Sequence, residues 1–202
     1  MLSYDDMYSR PEYYWGREPN RMARRATDLF PGELAQGKRV IDLGCGEGRD
    51  LIHFARHGFR PTGVDISAPG LAKAQAWAEE EGLWIQTQQA SMLTYRLTDP
   101  YDIVYSSGTL TYLPPHLRSE AITNYKEFTR PGGYNLFNVF VEKPYIPTPH
   151  DWGRDEFFYR SGELLLYYWD WEIIEFSEVI FDCNSGGQPH RHAMDLMIAR
   201  KV

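Results

Sequence analysis

Val40-Ile41-Asp42-Leu43-Gly44-Cys45-Gly46-Glu47-Gly48-Arg49-Asp50 decides how this chain folds. An apolar run ends in a carboxylate, glycines follow at alternate positions, and a helix-like pattern opens at Arg49. Glycine has no Cβ, so the backbone here can turn tightly and a ligand can lie directly against it. A strand, a glycine-rich turn and a helix N-terminus, in that order, make a nucleotide-type cofactor site.

A dinucleotide fits this turn poorly. Its fingerprint needs glycine at the first, third and sixth positions, and counting from Gly44 the sixth is Arg49. Asp42, Glu47 and Asp50 would repel a pyrophosphate, whereas they suit a cation or an ammonium. S-adenosylmethionine presents a sulfonium, an ammonium and a carboxylate, and is the expected cofactor, with S-adenosylhomocysteine as its product. Asp65 closes the next apolar run, Phe59 to Ile66, where an acidic residue accepts hydrogen bonds from a ribose diol.

The chain has 202 residues, enough for one domain (1–202) with a full core. Its formal charge of −7 and lack of a Lys/Arg run argue against a nucleic-acid partner. Two cysteines, Cys45 and Cys183, make no disulfide framework and fit a reducing cytoplasm. Cys45 reads as a small residue that fits the turn. No signal-like N-terminus or long uncharged apolar run is visible, so no membrane partner is expected. A monomer or homodimer acting on a small molecule is the expectation.

Strand and helix signals alternate. Lys38 to Leu43 predicts a strand and Arg49 to His57 a helix stopped by Gly58. Phe59 to Ile66 predicts the second strand; Ser67 caps a helix with Pro69 in its first turn, ended by Gly82. Leu83 to Gln89, Tyr101 to Tyr105 and Tyr134 to Val141 predict further strands, with a helix from Pro115 to Thr129 broken by Pro131-Gly132-Gly133. Ser161 is expected to cap a helix reaching Trp169. Trp171 to Phe181 and His190 to Arg200, joined by a loop containing Gly186-Gly187, should pair antiparallel. This predicts an α/β, Rossmann-like architecture: a seven-stranded, mostly parallel sheet with helices on both faces and a C-terminal antiparallel hairpin.

Two segments fall outside the alternation. Residues 1–30 give an N-terminal lid and helix, with Tyr4, Tyr8, Tyr13, Tyr14 and Trp15 in the lid and Pro19-Asn20 opening the helix. Residues 142–160 form a long loop with Pro144, Pro147, Pro149, Trp152, Phe157, Phe158 and Tyr159. Long unstructured loops in compact domains are usually functional or disordered, and this aromatic content argues against disorder. Both segments are expected to cover the carboxyl ends of the strands, where open α/β sheets bind ligands.

The chain resembles a class I S-adenosylmethionine-dependent methyltransferase from about Trp15 to its C-terminus. The glycine turn matches that superfamily's first motif, Asp65 its ribose acid, Tyr101 to Leu110 its fourth-strand motif, and Arg130-Pro131-Gly132-Gly133-Tyr134 the turn before strand five. Within it, the chain looks most like the bacterial tellurite-resistance methyltransferases. Gly44-Cys45-Gly46-Glu47-Gly48-Arg49, Gly162-Glu163-Leu164 followed by Tyr167-Tyr168, Trp171-Glu172 and Ala199-Arg200-Lys201 carry that likeness.

The resemblance implies roles. Asp42 and the Gly44, Cys45, Gly46 and Gly48 backbone would hold the methionine end, with Arg49 near its carboxylate. Asp65 would hold the ribose and Ile66 would pack on the adenine. Ala90, Ser91 and Met92 stand where the family usually has an acid and its neighbours at the adenine amine. The acid is missing here. Ser106 and Ser107 should face the sulfonium, and Tyr112 and Leu113 should line the pocket wall. Apart from the resemblance, the aromatic cluster Tyr13, Tyr14 and Trp15 is expected to close over the donor and exclude water.

The acceptor side is less defined. Methylases of exocyclic DNA-base amines typically carry Asn/Asp-Pro-Pro-aromatic after strand four, where this chain has Tyr105-Ser106-Ser107-Gly108, which argues against that class. His190, Arg191 and His192 are the candidate catalytic residues. Arg clamps oxygens bidentately and His moves a proton near neutral pH, so together they suit an oxyanion. Tellurite-type enzymes resemble this in using His and Arg from the same hairpin, yet Asp182 and Cys183 stand where such a pair would align. A two-histidine metal site shows no third ligand in the sequence, so no metal is assigned. His53 and His57 read as structural, His116 lies near the pocket wall and His150 in the cover loop. The leading expectation is methyl transfer to a chalcogen oxyanion (tellurite or selenite) or a thiol. A nicotinamide-dependent oxidoreductase and a non-catalytic S-adenosylmethionine-binding protein are the alternatives.

Overall fold

In the computed structural model, residues 3–148, 155–184 and 188–202 are described. Pro149, His150, Trp152 and Gly186-Gly187 lie outside them. The sheet has seven strands in the order β3-β2-β1-β4-β5-β7-β6. These are β1 (Arg39–Leu43), β2 (Arg60–Asp65), β3 (Gln86–Gln89), β4 (Tyr101–Ser107), β5 (Thr129–Val141), β6 (Glu172–Cys183) and β7 (His190–Arg200). Strands β1 to β5 pair parallel, and β7 runs antiparallel between β5 and β6. The predicted architecture is the observed one. Strand order reverses between β1 and β4, which opens a cleft at their carboxyl ends.

Period-two alternation sends successive residues to opposite faces. Val40, Ile103, Tyr105 and Leu136 pack under α2 (Arg21–Asp28) and α3 (Arg49–Arg56) with Met22, Ala26 and Phe54. Ile41, Leu43, Val104 and Phe137 build the other face with Tyr125 of α5 (Pro115–Glu127) and Leu164 of α6 (Glu163–Tyr167). Asn20 caps α2 by accepting from the Met22 amide, and Ser67 caps α4 (Ala68–Glu80) by accepting from Gly70. A short helix, α1 (Tyr4–Tyr8), precedes all of these, held by a reciprocal cap between Ser3 and Asp6.

Among the boundaries that differ from expectation, two have a clear local cause. Pro131-Gly132-Gly133 does not separate a helix from a strand but lies inside β5, where the register slips between the pairs Tyr101–Thr129 and Ile103–Tyr134. A Cβ on Gly133 would stand 2.7 Å from the Asp102 carbonyl oxygen, so the bulge depends on its absence. Helix α6 is shorter than predicted and is entered through left-handed Gly162 (φ 75°), without a side-chain cap. The Ser161 hydroxyl instead accepts from Lys143 Nζ at 2.5 Å, and Glu163 caps the Arg160 amide.

Candidate active site

The glycine turn leaves β1 and wraps the entrance of α3. Gly44, Gly46 and Gly48 all have left-handed φ, at 83°, 52° and 88°. Space is also limiting: a Cβ on Gly44 would stand 2.1 Å from Thr109 Oγ1, and one on Gly48 2.6 Å from the Ala74 Cβ. Cys45 is buried against Gly63, and burial pushes its thiol well above the usual range. It is a protonated packing group at neutral pH.

The carboxylates around the turn have different partners. Glu47 is buried and already committed, accepting from Lys73 Nζ and from the Tyr14 amide, each at 2.7 Å. Asp50 accepts from the Asn20 amide (2.7 Å), the Tyr105 hydroxyl (2.8 Å) and Arg49 Nε (3.2 Å). Asp42 lies beside Tyr105 in register on the same sheet face. Its burial, and then the negative charge of Asp50, hold its carboxyl well above the ordinary range. Asp65 is also raised, burial outweighing the amides of Ser67 and Gly46 that donate to it at 2.9 and 2.8 Å. Asp42 and Asp65 at the two strand ends therefore make a site that a cation would relieve. The donor set fits S-adenosylmethionine: acids for the ammonium and ribose, bare glycine backbone for close approach, and Arg49 for a carboxylate.

The remaining expected contacts are distributed unevenly. Ile66 is 61 % exposed beside Asp65, an open apolar face for a base. The Ala90 amide donates to the Asp65 carbonyl, and Ala90 and Met92 pack on the core beneath. Ser91 turns its hydroxyl to the Leu93 amide at 3.3 Å, capping a local turn. Ser107 reaches the cleft, accepting from Asn20 Nδ2 (2.9 Å) and Asn138 Nδ2 (3.2 Å). Ser106 faces into the sheet, fully buried, donating to the Leu43 carbonyl at 2.8 Å. Strand alternation explains why the two serines cannot share one direction. His53 is structural in placement: burial and neighbouring His57 pull it down to about 4, so it stays neutral.

The N-terminal segment lies on the glycine turn through Tyr8 and through the Tyr14 amide on Glu47. Tyr8 is the buried one; its hydroxyl would stand 2.9 Å from a Cβ on Gly46 and its ring 2.8 Å from one on Gly70. Trp15 is 48 % exposed and donates from Nε1 to the Tyr8 hydroxyl at 3.0 Å, while Tyr14 stacks edgewise on Trp15. Tyr13 packs away from the turn, against Trp77 of α4.

The returning end of the cover loop meets this lid. Tyr4 and Tyr112 share a hydroxyl hydrogen bond of 2.8 Å, and Tyr112 reaches Glu156 Oε1 at 3.2 Å. Residues Phe157 and Tyr159 then add to the sheet end through the Thr111 and Phe140 carbonyls. Arg118, which the sequence analysis missed, holds this segment. Its guanidinium is buried, bonds the Phe157, Phe158 and Leu113 carbonyls and Glu163, and lies 3.6 Å over the Tyr159 ring.

At the hairpin, His190 and His192 project from one face, their Nε2 atoms 2.9 Å apart. Arg191 takes the other, 57 % exposed and 3.9 Å from Asp182. Strand alternation predicts this division, both histidines on one face and Arg191 on the other. The ring of His192 lies 4.9 Å from that of Phe140, whose edge would stand 3.3 Å from a Cβ on Gly108. One aromatic ring therefore separates the histidines from the end of β4.

Comparison with known proteins adds to this geometry. The family model of tellurite resistance protein TehB matches residues 7–191. A probable S-adenosyl-L-methionine-dependent methyltransferase TehB of Haemophilus influenzae is 27 % identical over 197 residues, covering 96 % of this chain and 68 % of that protein. The crystal structure of TehB from Haemophilus influenzae superposes with a TM-score of 0.82 at 25 % identity, across 100 % of this chain and 68 % of that one. Magnesium protoporphyrin IX methyltransferase from Synechocystis, solved with S-adenosylmethionine bound, shares the fold at a TM-score of 0.65 and 17 % identity, covering 90 % of this chain and 78 % of that one.

Proposed function

The chain belongs to the tellurite resistance protein TehB family, a membership that makes it an S-adenosylmethionine-dependent methyltransferase, and from that premise we propose that its acceptor is a small, soft anion: a chalcogen oxyanion or a thiolate. The observation that carries the donor side is the paired, charge-strained carboxyls of Asp42 and Asp65 at the ends of adjacent strands, flanking bare glycine backbone. A cationic nucleoside relieves that strain, and a pyrophosphate would increase it.

The donor, when bound, supplies a methyl carbon already activated by a sulfonium. In that chemistry an acceptor lone pair would take the methyl, and the donor would be released as its neutral thioether. Positioning supplies much of the rate in such a displacement. Asp65 and the glycine turn orient the donor; Ser107, Asn20 and Asn138 form the wall at the end of β4. Tyr4, Tyr8, Tyr112 and the segment held by Arg118 exclude water. A soft anion needs no base, which agrees with a wall of hydroxyls, amides and aromatic rings at the transfer point.

The test is donor consumption by purified protein, read as S-adenosylhomocysteine formed, with selenite, tellurite, small thiols and small amines offered separately. Turnover with an oxyanion or thiol is the expected result; turnover with amines alone would reject the acceptor class. In the same preparation, S-adenosylhomocysteine should raise the melting temperature and NAD should not. Deleting residues 1–16 is expected to weaken donor binding severalfold in titration calorimetry; unchanged affinity would reduce α1 to a packing element.

A further inference from the structure

The hairpin register brings together three side chains that the reaction described above does not require. Cys183 of β6 is paired with His190 of β7, and His192 lies two residues further along the same face. Ligand atoms of Cys183, His190 and His192 all fall within 4.8 Å of one another. We propose that these three residues bind a single zinc-type transition-metal ion, leaving one tetrahedral position beyond them. The inference does not rest on the acceptor class proposed above.

The chemistry of the set supports the choice of ion. One thiolate and two imidazoles are ligands of borderline-soft metals, and three protein ligands with one position left over is a common zinc arrangement. Hard cations such as magnesium or calcium would seek oxygen instead. Two imidazole nitrogens on a tetrahedral zinc stand about 3.3 Å apart, given bonds of ~2.0–2.1 Å. The observed Nε2–Nε2 separation is 2.9 Å, so a few tenths of an ångström of opening fits the two histidines to the ion, and the Cys183 thiolate, within 4.8 Å of both, closes toward it.

The surroundings also resemble a built site. His190 Nδ1 lies 2.8 Å from the Gln188 carbonyl oxygen. A carbonyl only accepts, so Nδ1 carries the proton and Nε2 of a neutral ring is left as a lone pair facing His192. Metal-ligating histidines are typically oriented by such a bond. The Nε2 of His192 must then donate to His190 in the metal-free protein, and an ion would replace that shared proton. Phe140 and Phe181 pack on His192, at ring distances of 4.9 and 5.6 Å, and leave it 4 % exposed. An apolar wall of this kind strengthens metal–ligand electrostatics. The metal would tie the end of β6 to the start of β7 beside the Phe140 ring that closes on Gly108.

Cobalt(II) titrated into reduced, untagged, full-length protein tests the assignment, because its spectrum reports both ligand type and geometry. The expected result is a stoichiometric thiolate-to-cobalt charge-transfer band with intense tetrahedral ligand-field bands, both displaced by zinc. Cys183→Ser should abolish the charge-transfer band, and His190→Gln, at a partly exposed position, should weaken binding at least tenfold. Zinc should raise the melting temperature of the parent and of neither variant. Absence of the charge-transfer band, its survival in Cys183→Ser, or unchanged affinity in His190→Gln would overturn the site. Should Cys183→Ser fold poorly, the His190→Gln titration decides alone.

Discussion

Replacing Arg118 by alanine is expected to remove about 3–5 kcal/mol of stability and to open the cleft. The guanidinium is 1 % exposed, yet it sits at the hub of three segments. Nη1 donates to Glu163 at the start of α6 (2.7 Å), Nη2 to the Phe157 and Phe158 carbonyls (2.6 and 3.2 Å), and Nε to the Leu113 carbonyl (3.2 Å). Truncation leaves Glu163 without its cation and three carbonyls without a donor, besides a cavity under Tyr159. Lysine would not rescue it, since an ammonium lacks the planar fork that reaches several acceptors and stacks on the ring. Urea unfolding of Arg118→Ala and Arg118→Lys, with donor affinity measured on the folded fraction, checks this. A loss below about 1 kcal/mol would mean that the pairs are replaceable by solvent.

Arg118 also shows what could not be read along the chain. An arginine in Pro115–Glu127 looks like any solvated helix residue, because the Phe157 and Phe158 carbonyls and Glu163 that hold it lie about forty positions downstream. The glycine turn and Asp65 were legible because their signal is local: strand, turn and helix start within a few residues, and the acid at the end of the next strand. The sheet was legible for the same reason, each strand being a short apolar run bounded by turn residues. Helix α1 did carry a local signal, the Ser3–Asp6 cap, but a five-residue helix is too short for periodicity to show. Ser106 and Ser107 were both expected at the cleft although strand alternation already divides them. Cys183 was assigned no role beyond its redox setting, because its meeting with His190 exists only once the antiparallel register is known. Local patterns thus place the glycine turn and Asp65 at neighbouring strand ends, while the cover and the histidine cluster depend on contacts distant in sequence.

Asp42→Asn is expected to stabilise the ligand-free protein while destroying its use. The Asp42 carboxyl is buried, with Asp50 and Asp65 adding negative charge, so the folded state holds its proton more tightly than the unfolded chain, where the group titrates near 3.9. Its contribution is therefore complete below that value and is lost as pH rises through the raised folded pKa. Toward neutral pH the folded state must either keep that proton or bury the charge, and both oppose folding. Asparagine has nearly the same shape and no charge, so the stability gained over the parent should be absent in acid and grow toward neutrality. A bound ammonium reverses the balance, lowering the carboxyl pKa, releasing a proton and making parent affinity rise with pH. Loss of one charge-assisted hydrogen bond, about 1.5–3 kcal/mol, predicts at least a tenfold weaker complex in the variant. Calorimetric melting with and without S-adenosylhomocysteine, across about pH 5–8, separates the two effects. Titration in two buffers of different ionisation heat should show proton release in the parent and none in Asp42→Asn. A variant no more stable at neutral pH than the parent, yet binding the donor equally well, would mean that Asp42 neither bears the strain nor meets the cation, and the electrostatic basis for the donor site would fail.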